Sequence, residues 1–329
     1  MKLKPYLTIF CLLGAFAAKA QKADTAQILV HYKFTHVLDT NNRDKPLNEN
    51  MVLMVGRNAS LYKSYDRKMR EEQMRKAVME QINSGSSNIK VASGGGPLGP
   101  NIDYYQYPNS NKFYSSERVF NYYIIEEAMP APAWKISADT ATLKGLQCQK
   151  ATTHFKGRDY TAWFCSDLPY RVGPWKLNGL PGLIVEVYDA KKEVTFKFDG
   201  LEKVDLNAKK EPDAATTMNT PGRTFVLNSA NERNQNPNVI ALPANAIKTT
   251  AKELDELKEI RRKDPQAFMQ SQMAQMQGQM GGQSRSISIG GSSGSPVVGV
   301  QSINIQNSAN AKPTVTNNPI ELPEKGGKK

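Results

Sequence analysis

The stretch that most constrains the fold of this chain is residues 160–188, YTAWFCSDLPYRVGPWKLNGLPGLIVEVY. Its centre is Gly179-Leu180-Pro181-Gly182-Leu183-Ile184. Proline fixes φ near the value needed at position i+1 of a β-turn, and glycine accepts the positive φ of position i+2 in a type II turn. A reversal on Pro181-Gly182 brings Leu180 and Leu183 together, so the turn is expected to sit on a core. Beyond it, Leu183, Val185 and Val187 alternate with Ile184, Glu186 and Tyr188, the two-residue period of a strand.

Upstream of that corner, residues 147–166 read as a β-hairpin turning on Lys156-Gly157. One face then carries Ala151, Phe155, Tyr160, Ala162 and Phe164 and is expected to be buried. The other carries Cys148, Lys150, Thr152, His154, Asp159, Thr161, Trp163 and Cys165. His154 falls opposite Asp159. Such a pair is half of an acid-base relay, but no G-x-S-x-G or comparable nucleophile motif accompanies it, so the expected role is structural. Cys148 and Cys165 stand equidistant from the turn, at a non-hydrogen-bonded site where Cα atoms come within bonding range. A cross-strand disulfide is expected. It would be structural, because the pair lacks the Cys-x-x-Cys spacing of redox motifs.

The hexapeptide 179–184 resembles the signature of the GLPGLI family of Gram-negative envelope proteins. The resemblance extends to Trp134-Lys135-Ile136, Cys148-Gln149-Lys150-Ala151, residues 157–164 and Gly173-Pro174-Trp175-Lys176, and Asn318-Pro319-Ile320-Glu321-Leu322 is similar to the family's ending. It covers roughly residues 27–206 plus the tail. It implies an envelope location and a β architecture, and it implies no particular reaction.

The N-terminus agrees with that compartment. Lys2 and Lys4 form a basic start, residues 6–18 an apolar run, and Ala18-Lys19-Ala20 an A-x-A site before Gln21, so residues 1–20 read as a cleaved signal peptide. The apolar run is shorter than the ~20 residues of a membrane span. The expected location is the periplasm or the outer membrane. Loss of the three lysines in residues 1–20 lowers the net charge from +12 to +9. The charges are interspersed, with no block like a nucleic-acid-binding arm, so nucleic acid is not expected as a partner; the basic surface reads first as a solvated one, and as a partner for peripheral membrane contact through anionic lipid headgroups, or for acidic glycans, second.

Along the mature chain, residues 27–38 alternate as a first strand with His31 and His36 on opposite faces, and residues 49–62 give a second. Residues 66–83 are helical, with Met74, Ala77, Val78 and Ile82 as an apolar stripe. The glycine-rich stretch 84–100 reads as a flexible insertion; its glycines lack the strand-to-helix setting and the Lys-Ser/Thr of a phosphate loop. Residues 101–127 form two aromatic-rich strands around Pro108-Asn109-Ser110-Asn111. Residues 207–248 read as a loosely structured linker. A capping box at Thr250–Glu253 opens a helix with Leu254, Leu257 and Ile260 inward, and Asp264-Pro265 starts a second. That second helix carries Met269, Met273, Met276 and Met280 at helical spacing, weak candidates for Cu(I). Residues 281–317 read as disordered, 318–322 as a returning edge strand, and 323–329 as a tail.

Hairpin follows hairpin, with no strand-helix alternation. The expected class is mainly β (α+β): a curved antiparallel sheet or incomplete β-barrel with one or two helices packed beside it, resembling the lipoprotein-carrier folds of the periplasm. The expected function is noncatalytic binding of an apolar or amphipathic ligand such as lipid in the concavity of the sheet. The alternative is a structural or interaction partner of an outer-membrane complex; Cu(I) binding and an unrecognised enzyme are minor alternatives. Trp163, Trp175, Lys176 and Tyr122 are the candidate contacts for ligand or partner, and neither catalytic residues nor a cofactor are expected.

Overall fold

Twelve strands hydrogen-bond into one sheet: β1 (Ile28–His36), β2 (Leu47–Val55), β3 (Ser60–Ser64), β4 (Ile102–Tyr107), β5 (Lys112–Arg118), β6 (Tyr122–Ala128), β7 (Lys135–Leu143), β8 (Leu146–Phe155), β9 (Arg158–Cys165), β10 (Leu183–Asp189), β11 (Val194–Lys203) and β12 (Ile247–Lys248). The computed structural model describes residues 23–84, 88–92, 101–205, 217–220, 223–226, 237–279, 302–306 and 316–324. The order across the sheet is β12-β6-β5-β4-β3-β2-β1-β11-β10-β9-β8-β7. Neighbours are antiparallel except β12, which lies parallel to β6. The sheet is thus mixed and open. The signal-peptide segment lies outside the described residues.

Local sequence accounts for most of the reversals. Lys156 and Gly157 have φ of 52° and 72°, and Lys144 and Gly145 of 49° and 81°, so both two-residue loops have the paired positive φ of the turn that matches strand twist. The β8–β9 register is the expected one, with His154 opposite Asp159 and Gln149 opposite Phe164. The expected strand over residues 49–62 is instead two, β2 and β3. They reverse at Gly56, where the Asp24 carboxylate accepts the Asn58 and Ala59 N–H groups at 2.5 and 2.9 Å.

A buried core lies on each face of the sheet. On β1, Ile28, Val30, Tyr32 and Phe34 enter the larger core with Met51, Leu53, Phe164, Leu183 and Phe196. Val52, Met54, Leu61, Tyr105, Tyr114 and Ile124 face the other way, into a second core closed by Ile240. Residues 237–248, expected as linker, therefore supply a buried lid and the strand β12. Within the same expected linker, Thr217–Thr220 pairs with Arg223–Val226. Asn88–Ala92 pairs in parallel with Ser302–Gln306, so parts of the expected flexible insertion and of the expected disordered region are strands.

The sheet bends around the loop between β9 and β10. Trp175, on that loop, packs against Phe155 and Tyr160 at ring separations of 6.0 and 6.3 Å, while its carbonyl accepts a hydrogen bond of 3.2 Å from Gln106 on β4. Lys176 reaches Glu127 of β6 at 3.1 Å and lies 5.5 Å above the Phe113 ring of β5. Trp134, just before β7, donates to the Asn178 carbonyl at 2.7 Å. Strands β4 and β9 are separated by five others in the sheet, so one loop touching both means that the sheet curves over it.

Helix α1 (Tyr65–Asn83) starts under Ser64, whose Oγ accepts the Arg67 N–H at 2.9 Å. Of its expected apolar stripe, Met74 is 43% exposed, Ala77 is exposed and Val78 is half-buried, while the Ile82 side chain lies outside the described residues. Its first turns are attached by the Arg67–Asp103 ion pair and by Tyr65 edge-on to His31. Helix α2 (Ala251–Lys263) has the expected capping box and buries Leu254, but Ile260 is 57% exposed. Lys258 and Arg261 take the next sheet-facing positions, binding Glu117 and the Val119 carbonyl at 3.2 and 2.9 Å. Asp264 caps α3 (Pro265–Gln279) by accepting the Ala267 N–H at 2.9 Å, and Phe268 and Gln272 are buried on it. Met269, Met273 and Met276 lie on α3; the placement of their side chains, and Met280 altogether, lie outside the described residues. Among the described residues no helix is long and apolar enough to cross a membrane.

Candidate functional site

Two of the stretches quoted for the family resemblance, that containing Arg158 and the tail from Asn318 to Leu322, meet in one buried polar clasp. Arg158 opens β9 directly after the turn, and its side chain is almost completely buried. A guanidinium has five N–H groups, and all five are used. Nε donates to the Ile320 carbonyl at 3.0 Å. Nη1 donates to Asp189 at 2.7 Å and Glu193 at 3.4 Å, and Nη2 to the Asn318 side chain at 2.6 Å and the Pro319 carbonyl at 2.7 Å. Arg43 adds a second cation on Glu193 at 2.7 Å, so two carboxylates meet two guanidiniums. Burial alone would raise the Glu193 pKa, but the hydrogen bonds from Arg43 and Arg158 outweigh it and hold the carboxyl below its ordinary value.

Residues 316–324 are what the clasp holds. The expected edge strand over 318–322 is not a strand. The segment is bound by side chains and by isolated backbone bonds, from Asn317 and Asn318 to the Leu38 carbonyl and from Leu322 to the Lys156 carbonyl, because the sheet there ends in a hairpin turn and offers no continuous ladder to join. Asn318 donates to the Val37 carbonyl and Glu193 at 2.8 and 3.1 Å, and its own carbonyl accepts from His36 Nε2 at 2.8 Å. Burial lowers the His36 pKa, in keeping with a neutral ring. Gly157 lies so close to Leu322 that a Cβ there would collide with the Leu322 backbone. Glu321 bridges Lys176 and Lys156 at 2.8 and 3.2 Å.

His154 and Asp159 are joined as expected, Nδ1 to Oδ1 at 2.6 Å, and the structure adds Glu324 on Nε2 at 2.9 Å. Both partners raise the His154 pKa, Asp159 most. With a carboxylate on each ring nitrogen the imidazole has no free position from which to take a proton from a nucleophile, so this trio latches the tail.

Two of the four expected contact residues do not face outward. Trp175 is 1% exposed and Lys176 7%, because the loop carrying them turns into the concavity of the sheet. Its prolines and glycines signal a change of direction without saying towards which side. Trp163 is half-buried on β9, and Tyr122 is half-buried on β6 with the Arg118 guanidinium 5.4 Å above its ring. The Gly179–Ile184 corner is seated on the core: Leu180, Leu183 and Ile184 are buried, and Tyr32 donates to the Ile184 carbonyl at 2.6 Å. The turn is not type II, however. The positive φ, 94°, belongs to Gly179, while Gly182 donates to the Leu180 carbonyl at 2.8 Å across Pro181. Gly182 is needed for a different reason, since its Cα lies against the Cys165 carbonyl and leaves no space for a Cβ.

Cys148 and Cys165 are buried free thiols in the structure, without the expected bond. They belong to the larger core, and burial, with Cys165 alongside, pushes the Cys148 thiol up to about 11. His36, Asp189, Glu193 and Asn318 were not singled out for this site. The only signal for any of them is the tail motif containing Asn318; the others sit in an ordinary strand end and an ordinary charged turn.

No curated protein matches the chain. Several solved structures do, among them two described as "Structure of PNGF-II in C2 space group" and "Structure of PNGF-II in P21 space group". Each is 11% identical, with TM-scores of 0.41 and 0.42, and each comparison covers 70% of this chain and 32% of the other. The chain thus spans about a third of their length. Residues 153–186, which carry Arg158, Trp175 and the Gly179–Ile184 corner, match the model of a family described as "Protein of unknown function (Porph_ging)".

Proposed function

We propose that this chain is a noncatalytic envelope protein of the GLPGLI type, exported by its leader to the periplasm or outer membrane, and that it works as an interaction partner in an outer-membrane assembly. One observation favours this over an apolar-ligand carrier: the inner face of the sheet is filled by the protein's own loop, with Trp175, Leu177 and Leu180 at most 1% exposed. An acyl chain would have to displace them. One surface left on offer is β7. It is nine residues long, exposed or half-exposed throughout, and among the described residues no strand pairs with its outer edge. Such an edge suits addition of an extended segment from a partner protein. A photo-crosslinking residue at Ile136, 49% exposed, is expected to trap a discrete protein adduct in the native envelope. Recovery of lipid and no protein adduct would reverse the choice.

In that oxidising compartment Cys148 and Cys165 are expected to bridge, as the next pair beyond Gln149 and Phe164 in the register. The high pKa of Cys148 makes its thiolate scarce at neutral pH, so the bond is expected to form before the core closes. Mature protein alkylated without reduction should therefore be unmodified and lighter by two hydrogens than the reduced chain. Two alkylated thiols would refute the bridge.

A further inference from the structure

We propose that the cleft between the first turns of α1 and strands β3–β6 binds a phosphate-type oxyanion, either free or carried on a lipid headgroup. This goes beyond the edge-strand reading and does not depend on it, since the cleft lies in the half of the sheet away from β7. The cleft holds about 160 Å³ and is lined by four cations, Lys63, Arg67, Lys68 and Arg118, against two carboxylates, Glu71 and Asp103. Adjacent strands assemble it. Asp103 pairs with Ser116 and Arg118 with Tyr122, and these positions continue the row of Leu61, Tyr105, Tyr114 and Ile124 in the second core. The cleft is where that apolar face runs out beneath the helix.

Three groups in it are unspent. Lys63 makes neither a hydrogen bond nor an ion pair among the described residues, and its burial lowers its pKa. Arg118 is exposed, and its guanidinium does no more than lie over the Tyr122 ring. Ser116 is 3% exposed and its Oγ has no hydrogen-bond partner, an orphan of a kind that folded proteins rarely keep without a ligand or a water. Arg67 already neutralises Asp103, and Lys68 lies 4.0 Å from Glu72. What remains is two cations and a hydroxyl donor against one carboxylate, Glu71, at the positive end of a helix, a net positive setting that suits an oxyanion.

Isothermal titration with inorganic phosphate at fixed ionic strength tests this on the wild type, R118Q, K63M and S116A, with K150Q as control. Arg118 is exposed, so R118Q keeps the fold, whereas Lys150 pairs with Asp139 in the other half of the sheet. Phosphate is expected to bind the wild type and K150Q alike, at least ten-fold more weakly in R118Q and K63M, and more weakly in S116A. Equal binding by all variants would mean diffuse attraction to a basic chain and would overturn the proposal. Sedimentation with phosphatidylcholine vesicles, with and without phosphatidic acid, separates the sources. Vesicle binding that requires phosphatidic acid and is lost in R118Q identifies a headgroup, and phosphate binding without vesicle binding identifies a free anion. Vesicle binding that R118Q leaves intact, or failure of the wild type to bind either probe, counts against the site.

Discussion

Replacing Arg158 with methionine is expected to destabilise the protein by about 3–5 kcal/mol, read as a lower urea midpoint. The magnitude follows from what stays behind. Asp189 and Glu193, both with side chains 4% exposed, would share a buried space with one guanidinium fewer, and two tail carbonyls and the Asn318 side chain would lose their donor. Arg158→Lys is the informative companion. It keeps the charge, but an ammonium has three donors on one atom and cannot span acceptors on both sides of a planar fork, so it is expected to recover about half of the loss. Glu193 supplies a pH signature. Its folded-state pKa is depressed, so its contribution is present above the ordinary carboxylate value and is lost as pH falls through the depressed one. In Arg158→Met that acid-side loss should shrink. Deleting residues 316–329 should reproduce much of the destabilisation, because those residues are most of what the guanidinium binds. If Arg158→Met unfolds within about 1 kcal/mol of the wild type, the clasp is ornamental and the tail is held by other contacts.

The clasp also shows where sequence reading stops. The β8–β9 hairpin was legible to the residue because its information is local: two residues suited to positive φ at the tip, and alternation on either side. The corner at Gly179–Ile184 was placed correctly on the core, yet the role given to Gly182 differed, since the carbonyl that excludes a side chain there comes from Cys165 on another strand. Arg158 reads as one charged residue at a strand start. Its partners at Asn318 and Ile320 are 160 and 162 positions away, and nothing in local periodicity connects them. The cleft beneath α1 is still less legible, because no two neighbouring strands carry more than a few of its residues. The failures share a cause. Local pattern fixes which segments become strands and where they turn, while the side to which a loop folds, and the element a tail docks on, are settled by contacts remote in sequence.

Trp175→Ala is expected to cost a further large amount, about 3–5 kcal/mol, because the ring is fully buried and the loop around it touches both ends of the curved sheet. The position has a second peculiarity. Trp175 has a φ of 55°, a left-handed conformation that a bulky residue adopts at a cost of about 1–2 kcal/mol. The packing of the ring against Phe155 and Tyr160 holds the backbone there. Truncation to alanine removes the packing and keeps most of the strain, whereas truncation to glycine removes both. Trp175→Gly should therefore be the more stable of the two by about 1 kcal/mol, although it deletes more of the side chain. Trp175→Phe, which keeps an aromatic ring in the space, should lose less than either. Equilibrium unfolding of the three variants checks the order. A hydrophobic dye added to Trp175→Ala separates the roles of the loop: a plug leaves a destabilised protein with a newly accessible apolar face, and a lid over a standing chamber leaves stability nearly intact while the dye binds. A loss under about 1 kcal/mol with strong dye binding would restore the apolar-ligand reading, since the concavity would then exist independently of the side chains that fill it.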